Sequence, residues 1–299
     1  TVKLWDTCRG EFIKQLQGHI HSVQSISFSP DCKLLASGSS DCTLKLWDYE
    51  SGKCLNTFYG HTKSIKSVVF HLNGKLIASG STDSTIRIWD LEDRKCIKVI
   101  QNPGNRITSV VFSSNGQIIA CGGDDGVVRL WDVVTGECIK TFQGHQEFIT
   151  SLAFSSSGKL LASTAFDSTI ILWNIDTGEC IKSMKGKNRR IRTIKFHPNC
   201  ENIISGDDEA VRIWNTNTGK CIKVLSGHET YISSVDYSLS SNILASGSWD
   251  GTIKIWDIKT GECLKTLRDK PYERMNITGV KGLTEAEITT LKALGAVEE

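Results

Sequence analysis

The chain has 299 residues with 35 Lys+Arg against 33 Asp+Glu, a formal net charge of +2. That balance leaves no basic footprint for nucleic acid at whole-chain level. No apolar run reaches the ~20 residues of a membrane-spanning helix, and no apolar leader opens the chain. Its eleven cysteines contain no C-x-x-C pair, so the common zinc and redox spacings are absent.

The first apolar-alternating stretches, 1–5 and about 11–16, predict two strands. Gly18-His19 then precedes a predicted strand at 22–28, with Val23, Ile26 and Phe28 inward and an irregularity between the first two. A second strand at 34–39 is small and apolar and ends at the turn of Ser40 and Asp41. Residues 43–47 alternate with period 2, the strand signature, and end at Trp47. A turn at 50–52 leads to a fourth strand at 54–58, and Gly60-His61 restarts the unit. Seven tryptophans, Trp5, Trp47, Trp89, Trp131, Trp173, Trp214 and Trp256, are each followed by Asp or Asn at intervals of 42, 42, 42, 42, 41 and 42. Such a period marks one supersecondary unit copied along the chain. A single four-stranded sheet cannot bury both its faces, but sheets stacked radially can.

Gly-His, then Ala36-Ser-Gly-Ser-x-Asp41, then Trp47-Asp48 resembles the pattern of WD-repeat β-propellers, over roughly residues 1–268. The resemblance implies an all-β, seven-bladed propeller whose first blade holds only its two outer strands. Thr1 is not an initiator residue, so further repeats are expected upstream. The expected organisation is a propeller at 1–268 and a C-terminal tail at 269–299 with a short helix at about 284–294. That helix is announced by a capping box at Thr284 and Glu287 and stopped by Gly295. Asn276 to Val280 is a weaker candidate for filling the first blade's gap.

His, Ser, Asp and Trp recur as His19, Ser37, Asp41, Trp47; His61, Ser79, Asp83, Trp89; His145, Ser163, Asp167, Trp173; and His228, Ser246, Asp250, Trp256. A Ser-His-Asp set invites a hydrolase reading. Four copies and the lack of a nucleophile elbow oppose it. The resemblance implies instead a structural chain of hydrogen bonds, and no catalytic residue, cofactor or metal ligand is expected. Two blades depart from the pattern: in the fourth, Pro103 stands for His and Cys121 for Ser; in the sixth, Lys187 stands for His and one residue is missing before Asp208. These blades are expected to be the less rigid. Asp124-Asp125 and Asp207-Asp208-Glu209 read as solvated turn carboxylates. Six cysteines at one phase (Cys54, Cys96, Cys138, Cys180, Cys221, Cys263) read as small buried hydrophobes, and eleven thiols suit a reducing cytoplasm.

Repeats keep the scaffold and vary the loops, so variation between repeats points to contact residues. Two phases vary most: Ser22, Ser64, Arg106, Phe148, Arg190, Tyr231, and Ser40, Thr82, Asp124, Phe166, Asp207, Trp249. The resemblance places both on the top surface. Phe148, Phe166, Arg189, Arg190, Tyr231 and Trp249 are the large members, an aromatic and arginine set of the kind that dominates binding energy. They point to a protein or peptide partner of acidic character, bound by a non-catalytic scaffold or sensor module. The tail from Pro271 to Ala296 resembles that of large cyanobacterial WD-repeat signalling proteins. Many of those carry an upstream ATPase, which would make this chain the sensor part of a larger protein. No P-loop occurs here. A channel-based enzyme and a nucleic-acid binder using 187–192 are the weaker alternatives.

Overall fold

The computed structural model describes residues 1–104, 106–186, 190–197, 199–238, 242–268, 284–293 and 296. Strands β1 (Val2–Trp5) and β2 (Phe12–Leu16) form a two-stranded sheet. Strands β3 (Val23–Phe28), β4 (Leu34–Ser39), β5 (Leu44–Asp48) and β6 (Cys54–Phe58) form an antiparallel meander. Five further four-stranded sheets follow. Taking the β1–β2 pair as blade 1, blades 2 to 7 run over 23–58, 65–101, 107–142, 149–185, 193–226 and 232–268. The register slips between Val23 and Ser25, the predicted irregularity, and again between Leu46 and Trp47. Both slips are β-bulges that sharpen the local twist.

The core lies between blades. Leu44, Leu46 and Phe58 of blade 2 pack on Ile65, Val68, Phe70, Ile77 and Trp89 of blade 3. The same kind of joint links blade 4 to blade 5 and blade 6 to blade 7. Fully burying one such side chain contributes ~1.5–3 kcal/mol, so each blade depends on its neighbour. Packing is close enough to dictate residue type: a Cβ on Gly38 would stand 2.5 Å from Ile65 Cγ2, and one on Gly80 2.7 Å from Ile107 Cγ2. Polar pins join the inner strands as well. Ser25 Oγ accepts from the Val68 N–H at 3.0 Å, Ser67 from Val110 at 3.1 Å and Ser109 from Leu152 at 3.1 Å.

Blade 1 sits between blades 7 and 2. Val2, Leu4 and Leu16 pack on Leu35 and Trp47, and a Cβ on Gly10 would stand 3.2 Å from Leu267 Cδ2. Its missing inner strands correct one expectation. Ile26 and Phe28, predicted inward, are 50% and 42% exposed, because no strand among the described residues lies on that side of β3 to cover them.

Helix α1 (Glu285–Ala293) begins with a reciprocal capping box: the Thr284 N–H donates to Glu287 Oε2 at 2.8 Å and the Glu287 N–H donates to Thr284 Oγ1 at 3.3 Å. Gly295 and the stretch 269–283, with Asn276 to Val280 in it, lie outside the described residues.

Candidate functional site

The four tetrads are assembled alike. Trp47 Nε1–H donates to Ser37 Oγ at 2.8 Å; Ser37 meets His19 Nε2 at 2.8 Å, and His19 Nδ1 meets Asp41 Oδ2 at 2.8 Å. In blade 3 the three distances are 2.8 Å (Trp89–Ser79), 2.7 Å (Ser79–His61) and 2.8 Å (His61–Asp83). In blade 5 they are 2.8 Å (Trp173–Ser163), 2.7 Å (Ser163–His145) and 3.1 Å (His145–Asp167). In blade 7 they are 2.8 Å (Trp256–Ser246), 2.7 Å (Ser246–His228) and 2.7 Å (His228–Asp250).

The proton direction follows from the ends of the chain. The indole can only donate, so the serine accepts and passes its own proton to Nε2. Nδ1–H then donates to the carboxylate. Each Asp also takes a threonine hydroxyl at its other oxygen, Thr43 at 2.6 Å and Thr85 at 2.7 Å. Burial opposes ionisation of Asp41, yet the bonds from Thr43, His19 and the Ile20 N–H outweigh it and hold the carboxyl at about 2. Asp83, Asp167 and Asp250 are lowered against burial in the same way. Burial lowers His145, against the pull of Asp167. The serines are inaccessible: Ser37, Ser79 and Ser163 are 0% exposed and Ser246 1%. Their hydroxyls are spent on cross-strand bonding, which locks strands and turn together.

The two departing blades replace the histidine rather than lose its function. In blade 6 the spacing marks Asp208 as the turn carboxylate and leaves Asp207 on the rim. Asp207 is in fact the buried one, at 2% exposure. It accepts the Glu209 and Ala210 N–H groups at 2.8 Å each and pairs with Arg212 Nε at 2.5 Å, while Trp214 still donates to Ser205 at 2.9 Å. The deletion of one residue pulls the turn back by one position. In blade 4, Arg129 Nη1 pairs with Asp125 Oδ2 at 2.7 Å. Trp131 donates to Cys121 Sγ at 3.1 Å, and Asn102 Oδ1 stands 3.9 Å from that sulfur. Arg129 and Arg212 occupy the same strand phase as Lys45, Arg87 and Lys254.

The phase-matched cysteines are a second correction. Cys54, Cys138, Cys180, Cys221 and Cys263 are exposed and Cys96 is intermediate. They begin the outermost strands, where a bulge turns them to solvent, and Cys54 Sγ meets the Asn56 carbonyl at 3.4 Å. None of the eleven cysteines forms a disulfide.

On the rim, the two variable phases are joined by main-chain bonds. The Phe166 N–H donates to the Phe148 carbonyl and the Trp249 N–H to the Tyr231 carbonyl, both at 3.2 Å. Their rings follow: Phe148 and Phe166 centroids are 4.0 Å apart, Tyr231 and Trp249 5.1 Å. Blade 6 bridges the two pairs. Arg190 Cζ lies 4.9 Å and Arg192 Cζ 5.2 Å from the Phe166 centroid, and Arg192 Cζ is 3.9 Å from that of Tyr231. Arg192 also meets Asp208 at 3.2 Å. The result is one continuous aromatic and guanidinium strip, with Trp249 71% exposed at its end. Arg192 is its centre. It lies outside the two variable phases, and the sequence marks it only as a neighbour of Arg189 and Arg190. Arg189 and Lys187 lie outside the described residues. Among the described residues, no group of three or more His, Cys, Asp or Glu is arranged to hold a metal ion, and no helix is long and apolar enough to cross a membrane.

Residues 1–182 match a family profile described as the IFT122 first beta-propeller. Residues 178–215 and 219–257 each match the WD domain, G-beta repeat. No curated protein matches the chain.

Proposed function

Because the chain belongs to the WD-repeat β-propeller family, we propose that it is a protein-interaction module whose rim over blades 5 to 7 receives a segment of a partner protein. Propellers of this family serve in general as non-catalytic scaffolds, and the reading extends that role to a particular strip of side chains. The observation that carries it is the exposure of Trp249, 71%, at the end of the stacked strip. A large aromatic held by its neighbours yet open to water keeps its burial energy in reserve for a partner.

The charge of the strip selects the partner. Arg192 is already matched by Asp208, whereas Arg190 is exposed and lies over the Phe166 ring. A segment with an acidic residue beside an apolar one answers both Arg190 and Trp249. The absence of disulfides among eleven cysteines favours a reducing compartment such as the cytoplasm.

The test is a peptide-display selection against the wild-type chain, counter-selected with a Trp249→Ala/Arg190→Ala variant of unchanged thermal stability. Enrichment of acidic-aromatic or acidic-aliphatic segments lost on the variant supports the reading. Enriched peptides that bind both chains equally would reject it.

A further inference from the structure

In the four-stranded blades, one phase of the third strand holds a lysine or arginine, except for Ile171 in blade 5. Where the blade has a tetrad histidine, the turn aspartate is taken and the cation turns to a hydroxyl of the outermost strand. Lys45 Nζ donates to Thr57 Oγ1 at 2.8 Å and Lys254 Nζ to Thr266 Oγ1 at 2.9 Å. Where the histidine is absent, an arginine takes a turn carboxylate, as Arg129 does with Asp125 and Arg212 with Asp207. Blade 3 has the histidine and an arginine but no hydroxyl. Asp83 is engaged by His61, by Thr85 Oγ1 and by the Thr62 and Thr85 N–H groups, and the residue paired across from Arg87 is Val99. Among the described residues, Arg87 Nη1 meets Cys96 Sγ at 3.8 Å, a weak acceptor. Its Nε is the one buried side-chain nitrogen or oxygen without a partner among those residues. A guanidinium drawn partly out of water with no carboxylate beside it has lost solvation and gained no ion pair.

That guanidinium lies on an open side of the molecule. Arg87 is partly exposed, and Val99, on the same face of the sheet, is 51% exposed. Tyr59, 75% exposed, precedes Gly60, where a Cβ would stand 2.8 Å from Arg87 Nη1. The outermost strand of blade 3, Lys95–Gln101, has 7 residues and is longer than the outer strand of every other blade. Its outer edge pairs with no described strand. We propose that the outer side of blade 3 is a docking surface for an extended, acidic segment of a partner protein, which adds a strand to the 95–101 edge and brings a carboxylate to Arg87. Main-chain bonds to the free edge hold the segment, the β-augmentation mode of recognition. An aspartate or glutamate beside Val99 then stands in the position from which Thr57 serves Lys45, one strand further out. Tyr59 and Ile97, the latter 46% exposed, offer aromatic and apolar area to the rest of the segment. Tyrosine and arginine are among the residue types that most often anchor interfaces. The surface is distinct from the strip over blades 5 to 7 and does not depend on it.

The probe is a displayed library of random nonapeptides, selected on the full chain carrying Trp249→Ala and Arg190→Ala, so that the rim strip contributes nothing. Enriched peptides are expected to place an Asp or Glu among β-branched or aromatic residues. The leading peptide, made synthetically and titrated calorimetrically, should bind one to one. Arg87→Met should weaken it about tenfold or more while leaving the unliganded Tm unchanged or higher, since the substitution removes an unpaired charge. Val99→Thr should also weaken it and raise the Tm, because the new hydroxyl gives Arg87 the acceptor that Lys45 and Lys254 have. This second variant keeps the test open if Arg87→Met fails to fold. The proposal is overturned if no peptide is enriched, if the enriched peptides lack acidic residues, or if both variants bind as the parent does. A clear fall in Tm for Arg87→Met together with undiminished binding by Val99→Thr overturns it as well, since Arg87 then serves the fold alone. So does a dimer seen by light scattering that Arg87→Met dissociates, since a second copy is then the occupant.

Discussion

Arg212 Nε lies 2.5 Å from Asp207 Oδ2 in the one complete blade where lysine stands for the tetrad histidine and a residue is lost before the turn. The pair does for blade 6 what His and Asp do elsewhere: it pins a turn carboxylate to the sheet, from strand three instead of from the preceding loop. Both side chains are nearly buried, at 10% and 3% exposure. Arg212→Ala would strand Asp207 in the sheet, and breaking a buried pair by removing one partner costs about 3–5 kcal/mol. Equilibrium urea unfolding should show that loss, with a smaller one for Asp207→Asn, which keeps acceptor capacity for the Glu209 and Ala210 N–H groups. A loss no larger than that of a surface substitution, within about 0.5 kcal/mol, would mean the pair is not a pin.

Acid should unfold the protein through the tetrads. Asp41, Asp83, Asp167 and Asp250 are all lowered in the folded state, so their stabilisation is complete above the unfolded carboxyl range near 4. It is lost as pH falls through the folded values, about 2 for Asp41. His145 acts in the same direction, because burial lowers it. The unfolded chain takes that proton more readily below about 6.5, and stability falls where the unfolded state binds more protons. Tm should therefore decline gently from pH 7 to 5 and steeply below 4. His145→Gln should flatten the first part of the curve and leave the second.

Thiol labelling should divide the cysteines by position in the blade. Cys54, Cys138, Cys180, Cys221 and Cys263 are exposed, whereas Cys121 is buried and its thiol is pushed up to about 12 by burial. Only the thiolate attacks an alkylating reagent. Iodoacetamide under native conditions, read by peptide mass spectrometry, should modify the five outer cysteines and spare Cys121 until denaturant is added. Early modification of Cys121 would show that blade 4 opens locally.

Repeat spacing made the blades legible because each tryptophan serves a local need, covering the face of its own sheet against the blade before. The tetrads recur at a fixed phase in the sequence, but their reading as a chain of hydrogen bonds rests on the family resemblance and not on the residue types themselves, which equally invite a hydrolase reading. What stayed hidden depends on neighbours. Ile26 and Phe28 alternate like every other inner strand, and only the thinness of blade 1 uncovers them. Arg212 sits at a phase that reads as an ordinary outward-facing position. The deletion before the turn hid that Asp207, not Asp208, goes inside. The cysteines were misjudged because a β-bulge, invisible in composition, rotates them outward. On the rim, Phe148, Phe166, Tyr231 and Trp249 stood out by size, but Arg192, which stacks between the two pairs, is marked by nothing in the repeat pattern.

The seating of Ile65 at Gly38 recurs as Ile107 at Gly80, so successive joints are made from interchangeable parts. Whole repeats can then be reordered, duplicated or exchanged between positions without redesigning the hub. What changes under such shuffling is the sequence of loops displayed to the outside, and binding preference can drift by rearrangement of modules while the machinery that holds them stays constant.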